Sequence, residues 1–139
     1  MQIIAEHNTF FEVTVSKDIT HFEKAQLSKY DVVVLNNNCS DRQRRDMFWD
    51  VLKNDSSLTE IEKNQKAKKL EENLIRFVRK GNGLVILHGG IVMQNNSMAF
   101  SEMNGGGFDF HPAQRFISVP SCRNRPRSLA YCQRVFAGG

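Results

Sequence analysis

The sequence predicts an α/β fold, a doubly wound parallel sheet with helices on its faces. Three observations carry this. In "YDVVVLN", Tyr30 to Asn36, four apolar residues follow one another without alternation. "GLVILH", Gly83 to His88, repeats the pattern, and a long helical stretch separates the two. Strands apolar at every position belong to sheets covered on both faces, and parallel strands need a crossover connection between them.

Taken in order, the first element is "FEVTVS", Phe11 to Ser16, whose alternation and β-branched residues predict a strand. Residues 11–16, 31–36 and 84–88 are therefore expected as parallel strands of one sheet. The helix through Leu70–Val78 is expected to pack across it by a right-handed crossover. "CSDRQRRDMFWDVLKND" predicts a helix capped by Ser40, with Met47, Phe48, Val51 and Leu52 facing inward. In "SSLTEIEKNQKAKKLEENLIRFVRKGNG", Thr59 and Glu62 have the spacing of a capping box. Leu70, Leu74, Phe77 and Val78 form the buried stripe of that helix, and Gly81 or Gly83 ends it. Lys63, Lys66, Lys68 and Lys69, with Glu71 and Glu72, read as a solvated face. After His88 the chain reads as loop, "GGIVMQNN", then an apolar-spaced stretch "SMAFSEM", then "NGGGFDFHP". The final residues lack periodicity apart from a short helix around Leu129 to Phe136.

A chain of 139 residues has the length of one domain. No run approaches the roughly 18 apolar residues of a membrane span, so no membrane partner is expected. "MQIIAEHNTFF" lacks the basic region and cleavage site of a signal peptide, which makes a cytoplasmic location the expectation. Cys39, Cys122 and Cys132 have no CxxC spacing and cannot all pair, so reduced structural thiols are expected. The net charge of +4 conceals an asymmetry: residues 1–80 are nearly balanced, whereas 113–139 carry five arginines and no acid. Aromatic interleaving, a recognition-helix pattern and a zinc finger are absent, so nucleic acid is not expected as a partner.

In open α/β sheets, ligands bind beyond the carboxyl ends of the strands. His88 ends one buried strand, and "NNNCSD", with Asn37, follows the other at the same edge. Gly89 and Gly90 give the backbone room for a sharp turn and a close approach. "GGGFDFHP" adds Asp109 and, on the extended backbone that precedes a proline, His111. Imidazoles with Asp109 or Glu102 beside them could carry acid–base chemistry near neutral pH or hold a divalent metal. No HExxH or other strict ligand spacing exists, so no metal site is assigned, and no cofactor is identified. GxGxxG and GxxxxGK[ST] are absent, and His88 stands where a nucleophile elbow would place Ser or Cys. The bland alternative is that His88 bonds a neighbouring carbonyl and fills the strand end. The functional reading requires His88 and His111 to face one cleft within about 10 Å of each other.

"LSKYDVVVLNN", "LIRFVRKGNGLVILHGG" and "FSEMNGGGFDFHP" resemble the three most recognisable blocks of the ThuA-like (trehalose utilisation) family. The resemblance covers roughly residues 5 to 117. It implies a flavodoxin-like fold of the class I glutamine amidotransferase-like group. It also implies a link to sugar utilisation, with trehalose, related disaccharides or their oxidised derivatives as ligands. His88 occupies the position of the amidotransferase nucleophile, as in ThuA-like proteins, which argues against glutaminase chemistry. His88 and Gly89 match the family's strand-end motif, and Gly106, Phe108, His111 and Pro112 match its "GG-x-F-x-x-HP" motif.

The family pattern begins with a strand that this sequence lacks and continues beyond "HP". The expectation is thus a partial domain over 1–117, truncated at both ends, with an arginine-rich tail over 118–139. The expected function is that of a sugar-related enzyme domain, or its remnant, with His88, His111 and Asp109 as catalytic residues of a pocket for a small sugar-like ligand and Gly89, Gly90, Asn37, Gly106, Phe108 and Glu102 around it. The alternatives are an inactive fragment, or a non-catalytic binding or structural module of the same fold. Unpaired sheet edges add self-association to the expectations.

Overall fold

Val32–Leu35 (β1) and Gly83–Ile86 (β2) pair in parallel, in register from Val32 with Gly83 to Leu35 with Ile86. The computed structural model describes residues 10–36 and 43–108, and in it these two strands form the sheet. The α/β class and the parallel pairing follow the sequence. Residues 11–16 do not: they form no strand and are exposed. Alternation and β-propensity express a fit to a pleated, half-buried surface. Among the described residues the segment pairs with no strand, so the propensity goes unused.

The connection from β1 to β2 runs through helices α2 (Met47–Leu52) and α3 (Glu60–Arg79). Before β1 come a 3-10 turn, Ile19–Phe22, and one turn of helix, α1 (Lys24–Leu27). After β2 come a 3-10 helix, His88–Val92, where a plain loop was expected, and α4 (Met98–Asn104).

Helix α3 begins as the sequence predicts. Thr59 Oγ1 accepts from the Glu62 N–H at 3.3 Å, and Glu62 Oε2 accepts from the Thr59 N–H at 2.8 Å. Its stop is Gly81, at φ +95°, a conformation that L side chains rarely adopt. Of the charged residues assigned to its solvated face, Lys63 is instead buried and Glu71 half-buried. Lys63 lies one turn before Ala67 on the inward stripe, and it donates to the Lys53 carbonyl at 3.0 Å and to Glu60 Oε1 at 3.2 Å. Its apolar stem covers the core while the ammonium reaches these acceptors. Glu71 also turns inward, toward the chain that follows β2.

Helix α2 is capped by Asp46, whose Oδ1 accepts from the Phe48 N–H at 3.1 Å and the Trp49 N–H at 3.0 Å. The predicted cap, Ser40, lies outside the described residues. Val51, expected inside, is exposed. Phe48 and Leu52, four residues apart, face the core, and Val51 sits about 100° round the helix from Leu52.

The core gathers Leu27, Leu35, Phe48, Leu70, Leu74, Phe77, Met93 and Phe100, with Phe48 and Leu74 fully buried. Phe22 meets Phe48 edge-on at 5.0 Å between ring centroids. Asn73 Nδ2 donates to the Phe22 carbonyl at 3.1 Å and ties the 3-10 turn to α3. Val33, Leu84 and Ile86 pack against this cluster, and Leu35 belongs to it. The opposite face of the sheet carries Val32, Val34 and Val85. Val32 is 50% and Val85 43% exposed. The sequence predicted cover on both faces, but no described element covers this one.

Candidate functional site

Both strands deliver their carboxyl ends to one edge. The Leu87 N–H donates to the Leu35 carbonyl at 2.8 Å and extends the ladder one step past β2. The chain then turns at once into the 3-10 helix His88–Val92. Gly90 allows that turn: a Cβ there would lie 2.8 Å from the Leu35 carbonyl oxygen and 3.0 Å from Ile86 Cγ2. The space freed by the missing side chain at Gly90 is thus taken by the end of β1.

His88 opens the turn at φ +39°, in the left-handed region. For a side chain other than Gly or Asn this conformation costs free energy, and such residues cluster where function over-determines the backbone. The imidazole is exposed and has no hydrogen-bond partner among the described residues. The bland reading, a ring bonded to a neighbouring carbonyl, therefore finds no such bond there. An unbonded imidazole offers one donor and one acceptor when neutral.

The segment behind His88 is held by a buried polar cluster that the sequence did not suggest. Gln94, at φ +55° and fully buried, accepts from the Met47 N–H at Oε1 (2.7 Å) and donates from Nε2 to Glu71 Oε2 (2.5 Å). Ser97 Oγ donates to the other oxygen of the same carboxylate at 2.5 Å, and it caps α4 by accepting from the Phe100 N–H at 3.2 Å. A signal for Glu71 did exist, because it lies four residues from both Ala67 and Ile75, which are buried. Gln94, inside "GGIVMQNN", had none.

The glycine-rich stretch after α4 returns to this turn. Gly105 caps the helix at φ +79°, and the Gly106 N–H donates to the Ser101 carbonyl at 2.8 Å. The half-buried Phe108 offers its carbonyl to Arg45 Nη1 at 3.1 Å and to Asn95 Nδ2. Arg45 precedes α2 and Asn95 follows the His88 turn, so this carbonyl joins the chain leading into α2 to the chain beyond β2. Glu102 is exposed on α4, with no side-chain bond to His88. Asn37, Asp109 and His111 lie outside the described residues, as do the three cysteines and the tail 118–139.

Of the predicted site residues, His88, Gly89 and Gly90 thus stand at the strand ends, and Phe108 is tethered to the turn that they begin. A separate cleft between α3 and α4 is lined by Glu72, Ile75, Arg76, Arg79 and Ala99, and it contains no predicted site residue. Among the described residues no three His, Cys, Asp or Glu side chains converge to hold a metal ion. No described helix is long and apolar enough to cross a membrane. A family model described as "ThuA: Trehalose utilisation" matches residues 1–131. Nothing among curated proteins or solved structures matches the chain.

Proposed function

We propose, on the premise that this chain belongs to the ThuA (trehalose utilisation) family, that it binds a small sugar-like ligand beyond the carboxyl ends of β1 and β2. The observation that carries the reading is His88: an exposed imidazole without a described partner, on left-handed backbone, at the end of a parallel strand. Sugar hydroxyls both donate and accept, and a neutral imidazole does the same. β2 before the ring and the buried Gln94 cluster after it hold the backbone that carries His88.

In this reading the flavodoxin-like arrangement supplies the crevice. Asn37, which follows β1 in the sequence, and His111 with Asp109 in "GGGFDFHP" are assigned to the same ligand by their sequence positions. Gly89, Gly106 and Phe108 shape the backbone wall, and Gly90 seats the turn against the end of β1. Glu102 or Asp109 would orient a ring nitrogen of one histidine and take or return its proton.

A second reading, a binding module without chemistry, is favoured by one observation. No carboxylate among the described residues bonds to His88, and the nearest candidate in the sequence, Glu102, points to solvent.

Thermal unfolding with trehalose, related disaccharides and their keto derivatives tests the site. A ligand-dependent rise in Tm that both His88→Ala and His111→Ala abolish is the expected result. A rise that survives both changes would remove the pocket from these residues. Turnover of the stabilising sugar, followed by chromatography, separates catalysis from binding alone.

A further inference from the structure

We infer that the outer edge of β1 is an intermolecular pairing site, and that its occupant is the segment Phe11–Val15 of a second copy of this chain. Two unsatisfied features of the fold match each other.

The first is the edge. The Asp31 and Leu35 carbonyls accept from the Gly83 and Leu87 N–H groups, both at 2.8 Å, so these residues direct their backbone toward β2. Backbone direction alternates along a strand, which turns the N–H and C=O groups of Val32 and Val34 to the outer edge. Among the described residues no strand pairs there. Beside that edge lies the uncovered sheet face, where Val32 and Val34 stand on β1.

The second is the segment. Phe11, Val13 and Val15 alternate with Glu12 and Thr14, and the three apolar residues are 50%, 36% and 65% exposed. Phe11 to Val15 make no hydrogen bond among the described residues. The segment is a strand in all but partner. Among the described residues its own chain leaves that edge unpaired, and the segment runs into the 3-10 turn at Ser16, whose Oγ accepts from the Asp18 N–H at 3.0 Å.

Strand addition satisfies both features at once. Main-chain bonds supply the attachment, and one face of the added strand supplies the register. Placed beside β1, Phe11, Val13 and Val15 extend the row begun by Val32 and Val34. Beside β2 they would meet Gly83 and Val85, and glycine offers no side chain to pack. The valine pair therefore selects β1.

Light scattering of the full chain across a range of concentrations reads the association. The wild type should rise above the 15.9 kDa of one chain. Val13→Pro removes a ladder donor from a segment that packs on no described element, and it should weaken association about tenfold for each bond lost. A labelled "FEVTVS" peptide should bind the full chain and lose binding when Val32→Lys places a charge on the bare face. A chain that stays monomeric throughout overturns the inference. So does association that Val13→Pro leaves unchanged in a chain with wild-type circular dichroism, and so does a peptide that fails to bind.

Discussion

Gln94 donates its side-chain N–H to Glu71 at 2.5 Å while accepting from the backbone of Met47 at 2.7 Å. One buried amide therefore joins the middle of α3, the start of α2 and the turn that follows His88. The bond to a carboxylate is charge-assisted, which makes it stronger than a neutral pair. Gln94 holds its left-handed backbone because these partners demand it.

Gln94→Ala leaves the N–H of buried Met47 without its acceptor and takes one of two donors from the half-buried Glu71 carboxylate. An unmatched buried donor should cost about 1–3 kcal/mol. Urea unfolding measures this. A midpoint equal to that of the wild type would show that water replaces the amide without loss.

Gly90→Ala tests the close approach at the strand ends. Its Cβ would sit 2.8 Å from a backbone oxygen that is fixed in the β ladder and has little freedom to retreat. Overpacking of this kind should destabilise by about 1–3 kcal/mol, visible as a lower Tm. An unchanged Tm would mean that the His88–Val92 turn shifts freely.

His88→Gly separates function from stability. Glycine relieves the left-handed backbone at φ +39°, so the variant should unfold no more easily than the wild type and gain up to about 1 kcal/mol. It should also lose the sugar-dependent rise in Tm. A variant both less stable and still responsive to sugar would contradict the role given to the imidazole.

Acid should loosen the start of α3. Glu62 is held below its ordinary value of 4.5 first by the Thr59 backbone N–H and then by the Thr59 hydroxyl. A depressed carboxylate stabilises the fold above its unfolded value, and that contribution fades as pH falls through the folded one. Asp18 and Asp55 move in the same direction, Asp18 chiefly through the Thr20 N–H and Asp55 chiefly through the Ser57 hydroxyl. Helical circular dichroism should therefore decline below about pH 4.5, and Glu62→Gln should flatten part of that slope. A profile identical in Glu62→Gln would place the acid sensitivity elsewhere.

What the sequence revealed depended on whether the signal was local. The capping box of Thr59 and Glu62, the stripe from Leu70 to Phe77 and the stop at Gly81 all act within one helix, and all were legible. The two valine- and leucine-rich strands were legible because a run of apolar residues bounded by turns has few other uses. Phe11–Ser16 misled because pairing is decided by an edge elsewhere in the chain, which alternation cannot report. Val32 and Val85 are exposed among the described residues for the same reason: apolar composition states a preference for cover and does not name the element that supplies it. At the site, His88 and the glycines after it stood out by position. Gln94, Arg45 and Asn95 did not, because each acts through a partner between 13 and 63 residues away. Lys63 and Glu71 could have been found on the inward stripe, had their charge not outweighed their spacing.

The carbonyl of Phe108, shared by Arg45 and Asn95, has an evolutionary consequence. The knot between the two loops is tied to a peptide oxygen, which every residue type possesses. Drift at position 108 can replace the half-buried aromatic ring without cutting the knot. Arg45 and Asn95 have no such latitude, since their bonds reside in their side chains. Side-chain identity and loop anchorage are thus separable at a single residue, so the first can change while the second is kept.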